Sequence, residues 1–333
     1  FVGGTMTSFE DETFDAAEDL ETSRILTEEI ERPRVGPMRD IVATIQPDQD
    51  EIVRAELEET LCVQGGPGTG KTAVGLHRAA YLLYAHRAKL RSSGVLVVGP
   101  NSAFLHYIEQ VLPALGEVEV TQLTIDELVA RARVRRTDSP AVQRLKGDAR
   151  MAEVLRRAVW SNVGSVTEAV VVPRGSVRMR LYPSHVAQLR DALLARDLRY
   201  SASRAVFATM LGSAFTAQVE VRGEAADDRT VAALARSKPV RDCVDAVLPA
   251  LDPAGVLYRL LSSPERLASA ADGLLTAQEQ DLLRWKEIPR SAGVARWSAS
   301  DLVLLDEIAD LLERTSSFGH VVLDEAQDLS PMQ

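Results

Sequence analysis

Eight residues constrain this chain more than any others: Gly65-Gly66-Pro67-Gly68-Thr69-Gly70-Lys71-Thr72. They fit G-x-x-x-x-G-K-[ST]. They follow Thr60–Gln64 (TLCVQ), which reads as a short buried strand, and open a helical pattern running from Lys71 to about Leu90. The apolar stripe of that helix is Val74, Leu76, Ala80, Leu82 and Leu83. A strand, a glycine-rich turn and a helix in this order make a phosphate cradle: glycines let main-chain N–H groups wrap an anion, and the helix N-terminus adds partial positive charge. In that pattern Gly66, Gly68, Thr69 and Gly70 line the phosphates of ATP, Lys71 reaches the β- and γ-phosphates, and Thr72 ligates Mg2+. A chance glycine turn with an accidental lysine leaves the flanking strand and helix unexplained.

The strand–helix rhythm continues on both sides. A helical pattern starts near Asp48, with Ile52, Val53, Ala55 and Leu57 apolar, and Gly94–Val98 (GVLVV) is a second buried strand. Gly99-Pro100-Asn101 is a turn, Ser102–Leu115 a helix and Val118–Leu123 a third strand, after which Thr124 and Glu127 have capping-box spacing. Alternating strands and helices predict a parallel sheet covered on both faces. Far downstream, Gly319–Leu323 returns to the strand pattern and runs into Asp324 and Glu325. An acid at the end of such a strand can hold magnesium, and its neighbour can orient or deprotonate water. Adjacent side chains on a strand point to opposite faces, so Asp324 and Glu325 serve one site only if the strand ends there. By itself the pair is an ordinary solvated strand end; paired with Lys71 and Thr72 it becomes catalytic.

Between these regions the rhythm changes. Helical patterns cover Ala149–Trp160, Ser184–Arg196, Ser201–Ala217, Thr230–Ser237, Val240–Leu251, Ala254–Leu261, Pro264–Leu275, Gln278–Trp285 and Ser300–Arg314. A hairpin-like stretch, Glu168–Pro183, interrupts them, and Val219–Thr230, with Glu224, Asp227 and Asp228, reads as a protruding acidic loop or a plain surface turn. Net charge is −10, yet residues 129–300 hold 27 Lys+Arg against 18 Asp+Glu, while the rest holds 11 against 30. The negative total therefore does not exclude a nucleic-acid partner, and a solvated surface explains the asymmetry equally well. The basic run Arg131–Arg136 (RARVRR) reads as a DNA contact or a helix face. Single-strand binders add aromatic platforms to charge, and here aromatics are 5% of residues, with Trp160, Trp285 and Trp297 widely spaced. The opening segment Phe9–Arg32, with ten acids, reads as a solvated arm.

No apolar run approaches the roughly 18–20 residues that cross a bilayer, and no export signal is readable near Phe1. Cys62 and Cys243 lack metal-type spacing and imply no disulfide framework, so a reducing cytoplasm is expected.

These motifs, with Ile45–Val53 (IQPDQDEIV) upstream, resemble superfamily 1 helicases of the UvrD/Rep type. The resemblance implies that Gln49 recognises adenine and that Asp324-Glu325-Ala326-Gln327-Asp328 is the family's DExxD-type motif. Gln327 and Asp328 then couple nucleotide state to movement. Met38–Tyr84, Gly94–Gly116, His320–Gln333 and the segments Asp148–Leu155 and Ser298–Leu312 are similar to HelD, the RNA-polymerase-associated relative of these helicases in its actinobacterial form. That resemblance implies a RecA-like P-loop ATPase domain 1A interrupted by a large, mostly helical insertion. The domains expected are an acidic arm (1–38), the first part of domain 1A (39–128), an insert entering the main channel of RNA polymerase (129–300), and a return to domain 1A (301–333). The implied activity is ATP- and Mg2+-dependent removal of nucleic acid from stalled polymerase, by a monomer bound to the polymerase core; a DNA translocase is the alternative. The family's N-terminal coiled coil and second RecA-like domain have no counterpart in these residues, so the chain is expected to be part of a longer protein and a poor ATPase alone.

Overall fold

A computed structural model describes residues 46–111, 120–175, 177–221, 227–314 and 317–333. The acidic arm, residues 39–45 and Glu224 lie outside the described residues. The chain divides into two compact units, one running to Thr124 and resuming at Ser317–Ala326, the other covering Ile125–Ser316 and Gln327–Gln333.

The first unit is α/β. Its elements are α1 (Pro47–Arg54), α2 (Lys71–Ala85), α3 (Arg87–Ser93), β1 (Val95–Gly99), α4 (Ser102–Val111) and β2 (Val120–Thr124). A last strand, labelled β5 because two more precede it in the chain, spans His320–Leu323. The sheet order is β2-β1-β5, all parallel, with Val95 level with both Val120 and His320. β1 is buried throughout, as its unbroken apolar run requires of a central parallel strand. Val95 packs with Leu57, Ala79, Leu82, Leu83 and Leu90, and Val97 with Leu76 and Ile108. The helix expected from Lys71 to Leu90 is interrupted at His86, so α2 and α3 are separate.

Two strand readings change here. Thr60–Gln64 forms no strand; Leu61 is 38% exposed and Cys62 is exposed. β5 is not buried but an edge strand, with Val321 and Leu323 45% and 47% exposed. A strand needs a ladder as well as apolar side chains, and among the described residues Thr60–Gln64 pairs with none.

The second unit is helical. In order it contains α5 (Ile125–Leu128), α6 (Pro140–Lys146), α7 (Arg150–Trp160), β3 (Val170–Arg174), β4 (Val177–Leu181), α8 (Pro183–Leu194), α9 (Tyr200–Glu220), α10 (Asp228–Ala235), α11 (Lys238–Val247), α12 (Pro253–Ser262), α13 (Pro264–Ala271), α14 (Ala277–Leu283) and α15 (Ala299–Leu312). Each predicted helix is present, and Glu168–Pro183 forms the expected antiparallel hairpin. One continuous core runs from Val129 to Leu312, including Met151, Leu155, Phe207, Phe215, Leu257 and Leu304. Leu302, Leu304, Leu305 and Ile308 of α15 are buried in that core, which places α15 in this unit.

Two readings of local charge change. Asp227 is the N-cap of α10, its carboxylate accepting the Thr230 amide (2.9 Å) and hydroxyl (2.8 Å), and Asp228 opens the helix. Asp227 and Asp228 therefore complement the N-terminus of α10, while residues 222–226 of that stretch lie outside the described residues. Arg131–Arg136 is not helical; it runs beside Trp297 through a Val134–Trp297 bridge, with the Arg135 amide donating to the Trp297 carbonyl at 2.8 Å.

Candidate active site at the glycine-rich loop

Residues 65–70 leave no secondary structure and turn on two left-handed glycines, Gly68 (φ 79°) and Gly70 (φ 82°), where an L side chain is strained. The loop is exposed and folds back on its own lysine. Lys71 Nζ donates to the Gly65 and Gly66 carbonyls (2.9 and 3.0 Å), and the Thr69 hydroxyl donates to Gly66 O (2.8 Å). A phosphate oxygen would take the ammonium from those carbonyls. Lys71 is the first residue of α2, whose first turn carries no acid to neutralise the positive end of the helix.

Thr72, next on α2, meets the end of the sheet. Its Oγ1 donates to Asp324 Oδ2 at 3.0 Å across 252 positions of sequence. Asp324 is held there by the ladder, since its amide donates to Val98 O at 3.0 Å, one step beyond β5. Close packing of α2 on β5 helps: a Cβ on Gly75 would stand 3.0 Å from Val322 Cγ1. β5 stops at Leu323 and Glu325 adopts φ 52°, so the chain leaves the strand at the second acid. That left-handed conformation costs a non-glycine residue about 1–2 kcal/mol, and such strain recurs at functional sites.

Gln49 reaches the loop from the other side. In α1 its Oε1 accepts the Gln46 amide (3.1 Å) while its Nε2 donates to Thr69 O (3.1 Å). The carboxamide therefore ties the start of α1 to the loop. Gln327 lies in the short 3-10 turn Ala326–Asp328, where the chain passes into the helical unit. The structure thus brings Gln49, Thr69, Gly70, Lys71, Thr72 and Asp324 together within the α/β unit.

The sequence reading missed Arg78. It is 5% exposed, and its guanidinium donates to the Ile52, Val53, Ala55 and Glu56 carbonyls at the end of α1. Burial pulls its pKa below the usual arginine value, with Glu59 acting in the opposite sense. The available signal was an arginine between Val74 and Leu82 on the buried stripe of α2, where an unpaired charge is costly.

Among the described residues no cluster of three or more His, Cys, Asp or Glu side chains is arranged to hold a metal. Thr72 and Asp324 nevertheless suit magnesium, a hard cation that binds nucleotide sites through one or two protein oxygens, with phosphate and water completing its shell. The helical unit contains a cavity of about 660 Å3 beside Arg136 and Trp285.

Residues 45–126 match the UvrD/REP helicase N-terminal domain, which supports a UvrD/Rep-like superfamily 1 helicase and is consistent with a RecA-like α/β fold. No curated protein matches the chain.

Proposed function

We propose that the α/β unit is the ATP-binding wall of a superfamily 1 helicase-like motor that removes nucleic acid from RNA polymerase. The observation that carries the ATPase part is the Thr72–Asp324 hydrogen bond, which unites the phosphate loop with the strand-end acid from opposite ends of the chain. Lys71 exchanges its loop carbonyls for β- and γ-phosphate oxygens, while the amides of Gly66, Gly68, Thr69 and Gly70 and the open end of α2 hold the remaining charge. Thr72 and Asp324 hold magnesium, which when bound neutralises phosphate charge. Glu325 positions the attacking water and accepts its proton, and Gln49 reads adenine beside Thr69. Gln327, at the passage between units, responds to nucleotide state.

The polymerase is proposed from the resemblance to HelD, with the helical unit as the part that engages the main channel of the core enzyme, in the cytoplasm and as a monomer. The alternative, translocation on single-stranded DNA, rests on the basic surplus of residues 129–300. Two observations weigh against this alternative. Trp285 and Trp297 are buried, with ring centroids 5.4 Å apart, so they are core residues and not stacking platforms. Arg131 and Arg136 are paired with Asp306 and Asp301. Among the described residues no helix is long and apolar enough to cross a membrane.

ATP turnover measured with single-stranded DNA and with purified RNA polymerase core separates the readings. Stimulation by polymerase, abolished in Glu325→Gln with ATP affinity retained, supports the recycling factor; stimulation by DNA alone supports the translocase. Polymerase release that persists undiminished in Glu325→Gln overturns hydrolysis as its cause.

A further inference from the structure

We propose that Arg78 is a positioning residue that sets Gln49 against the phosphate loop; this rests on the nucleotide reading of the site. The helix α1 has two ends that matter. At its start, Gln49 is spent on both the Gln46 amide and the Thr69 carbonyl. At its end the carbonyls have no partner within the helix, as at any helix C-terminus. Arg78 fills that role from α2: Nη1 donates to Ile52 O (3.0 Å), Val53 O (3.5 Å) and Ala55 O (2.6 Å), and Nη2 to Glu56 O (2.8 Å). A buried cation at the negative end of a helix is favourable, and a planar fork fixes orientation in a way that one ammonium does not. Arg54 adds a second tie, its guanidinium 5.7 Å from the centre of the Tyr81 ring on α2.

Geometry makes this more than a fold contact. Arg78 and Lys71 share α2, two turns apart, and Gln49 and the captured carbonyls share α1. The same helix that presents the phosphate lysine therefore grips the helix that presents the carboxamide. Gln49 Nε2 also lies 3.7 Å from where a Cβ on Gly70 would stand, so a small shift of α1 alters the approach to the loop. Arg78 touches neither the base nor the phosphates in this arrangement; it acts through Gln49.

The test uses the full 333-residue chain, with Arg78→Lys as the conservative variant and Arg78→Met as the uncharged one. Affinities for ATP, GTP and inorganic tripolyphosphate are measured with magnesium, together with amide exchange over α1. The expected result is faster exchange at Val53 and Arg54 and a fall in ATP-over-GTP preference of about two- to tenfold, the worth of one hydrogen bond. Tripolyphosphate affinity stays within about twofold in the same variants. In a Gln49→Ala background Arg78→Lys produces no further loss of preference. The proposal is overturned if preference is unchanged while α1 loosens, or if tripolyphosphate affinity falls as far as ATP affinity does. Should the unaltered chain show no preference for ATP, the nucleotide reading fails and the proposal falls with it, a result distinct from a preference that is present in the unaltered chain and survives Arg78→Lys.

Discussion

Lys146 has no exposed side-chain surface, and its ammonium donates to Asp138 at 2.7 Å and to Asp301 at 2.5 Å. Ser298 and Ser300 complete the shell of Asp138, at 2.5 and 2.7 Å, and Arg136 Nη2 meets Asp301 at 3.0 Å. Removing the central member strands the others: Lys146→Met leaves two buried carboxylates with only the partly exposed Arg136 as a cation, which destabilises by about 3–5 kcal/mol. A urea titration followed by tryptophan emission reads this, because Trp285 and Trp297 are buried in the same unit; a loss below about 1 kcal/mol would mean water reaches the acids. Nothing in the sequence marks Lys146, which counts there as one more base in a positive segment. The meeting of Thr72 with Asp324 was legible because each lies in a local pattern, a turn of fixed length and an acid at a strand end. Arg78 owes its role to carbonyls 22 to 26 residues away and Lys146 to acids 8 and 155 residues away, a combination that no local pattern displays.

Elements follow the same division. Helices of the second unit were readable because each carries its own apolar stripe and often its own cap, as with Asp252, Ser263 and Thr276. Strands depend on neighbours, and Thr60–Gln64 shows the cost of reading one without them. β5 has a further dependence, on pH. His320 opens the strand level with Val95, and burial, followed by the nearby Arg78 charge, lowers its pKa below the ordinary value. The folded chain therefore resists protonating His320 while the unfolded chain accepts a proton near pH 6.5. Stability of the α/β unit is full above that pH and falls as pH drops from about 6.5 toward the lowered value. Amide exchange at Val97 and Val98 should accelerate, after correction for intrinsic rates, between about pH 7 and 5.5, and His320→Gln should flatten that dependence. An equal slope in the variant would assign the effect to another group.

At the scale of the whole chain, the division into two units falls at Ile125, and α15 packs within the helical unit, with Leu304 and Ile308 fully enclosed among residues of its core. The two units also differ in how much apolar surface each can bury. The α/β unit rests on two small clusters, around Leu82 and Val97, while the helical unit closes one core from Val129 to Leu312. Burial of apolar surface is the main favourable term in folding, and a unit with its own core can fold alone. A polypeptide of residues 125–314 should therefore melt in one cooperative transition and keep the near-ultraviolet circular dichroism of the Tyr258–Trp285–Trp297 cluster, whose ring centroids are 5.4 and 5.9 Å apart. The segment Gln327–Gln333 adds a main-chain bond from Met332 to Gly147 O (3.1 Å), so its omission should lower the midpoint by a few degrees without removing the transition. Loss of the near-ultraviolet signal, with helical far-ultraviolet signal retained, would show a loosely packed helical ensemble and would mean that the core of this unit is completed by the rest of the chain.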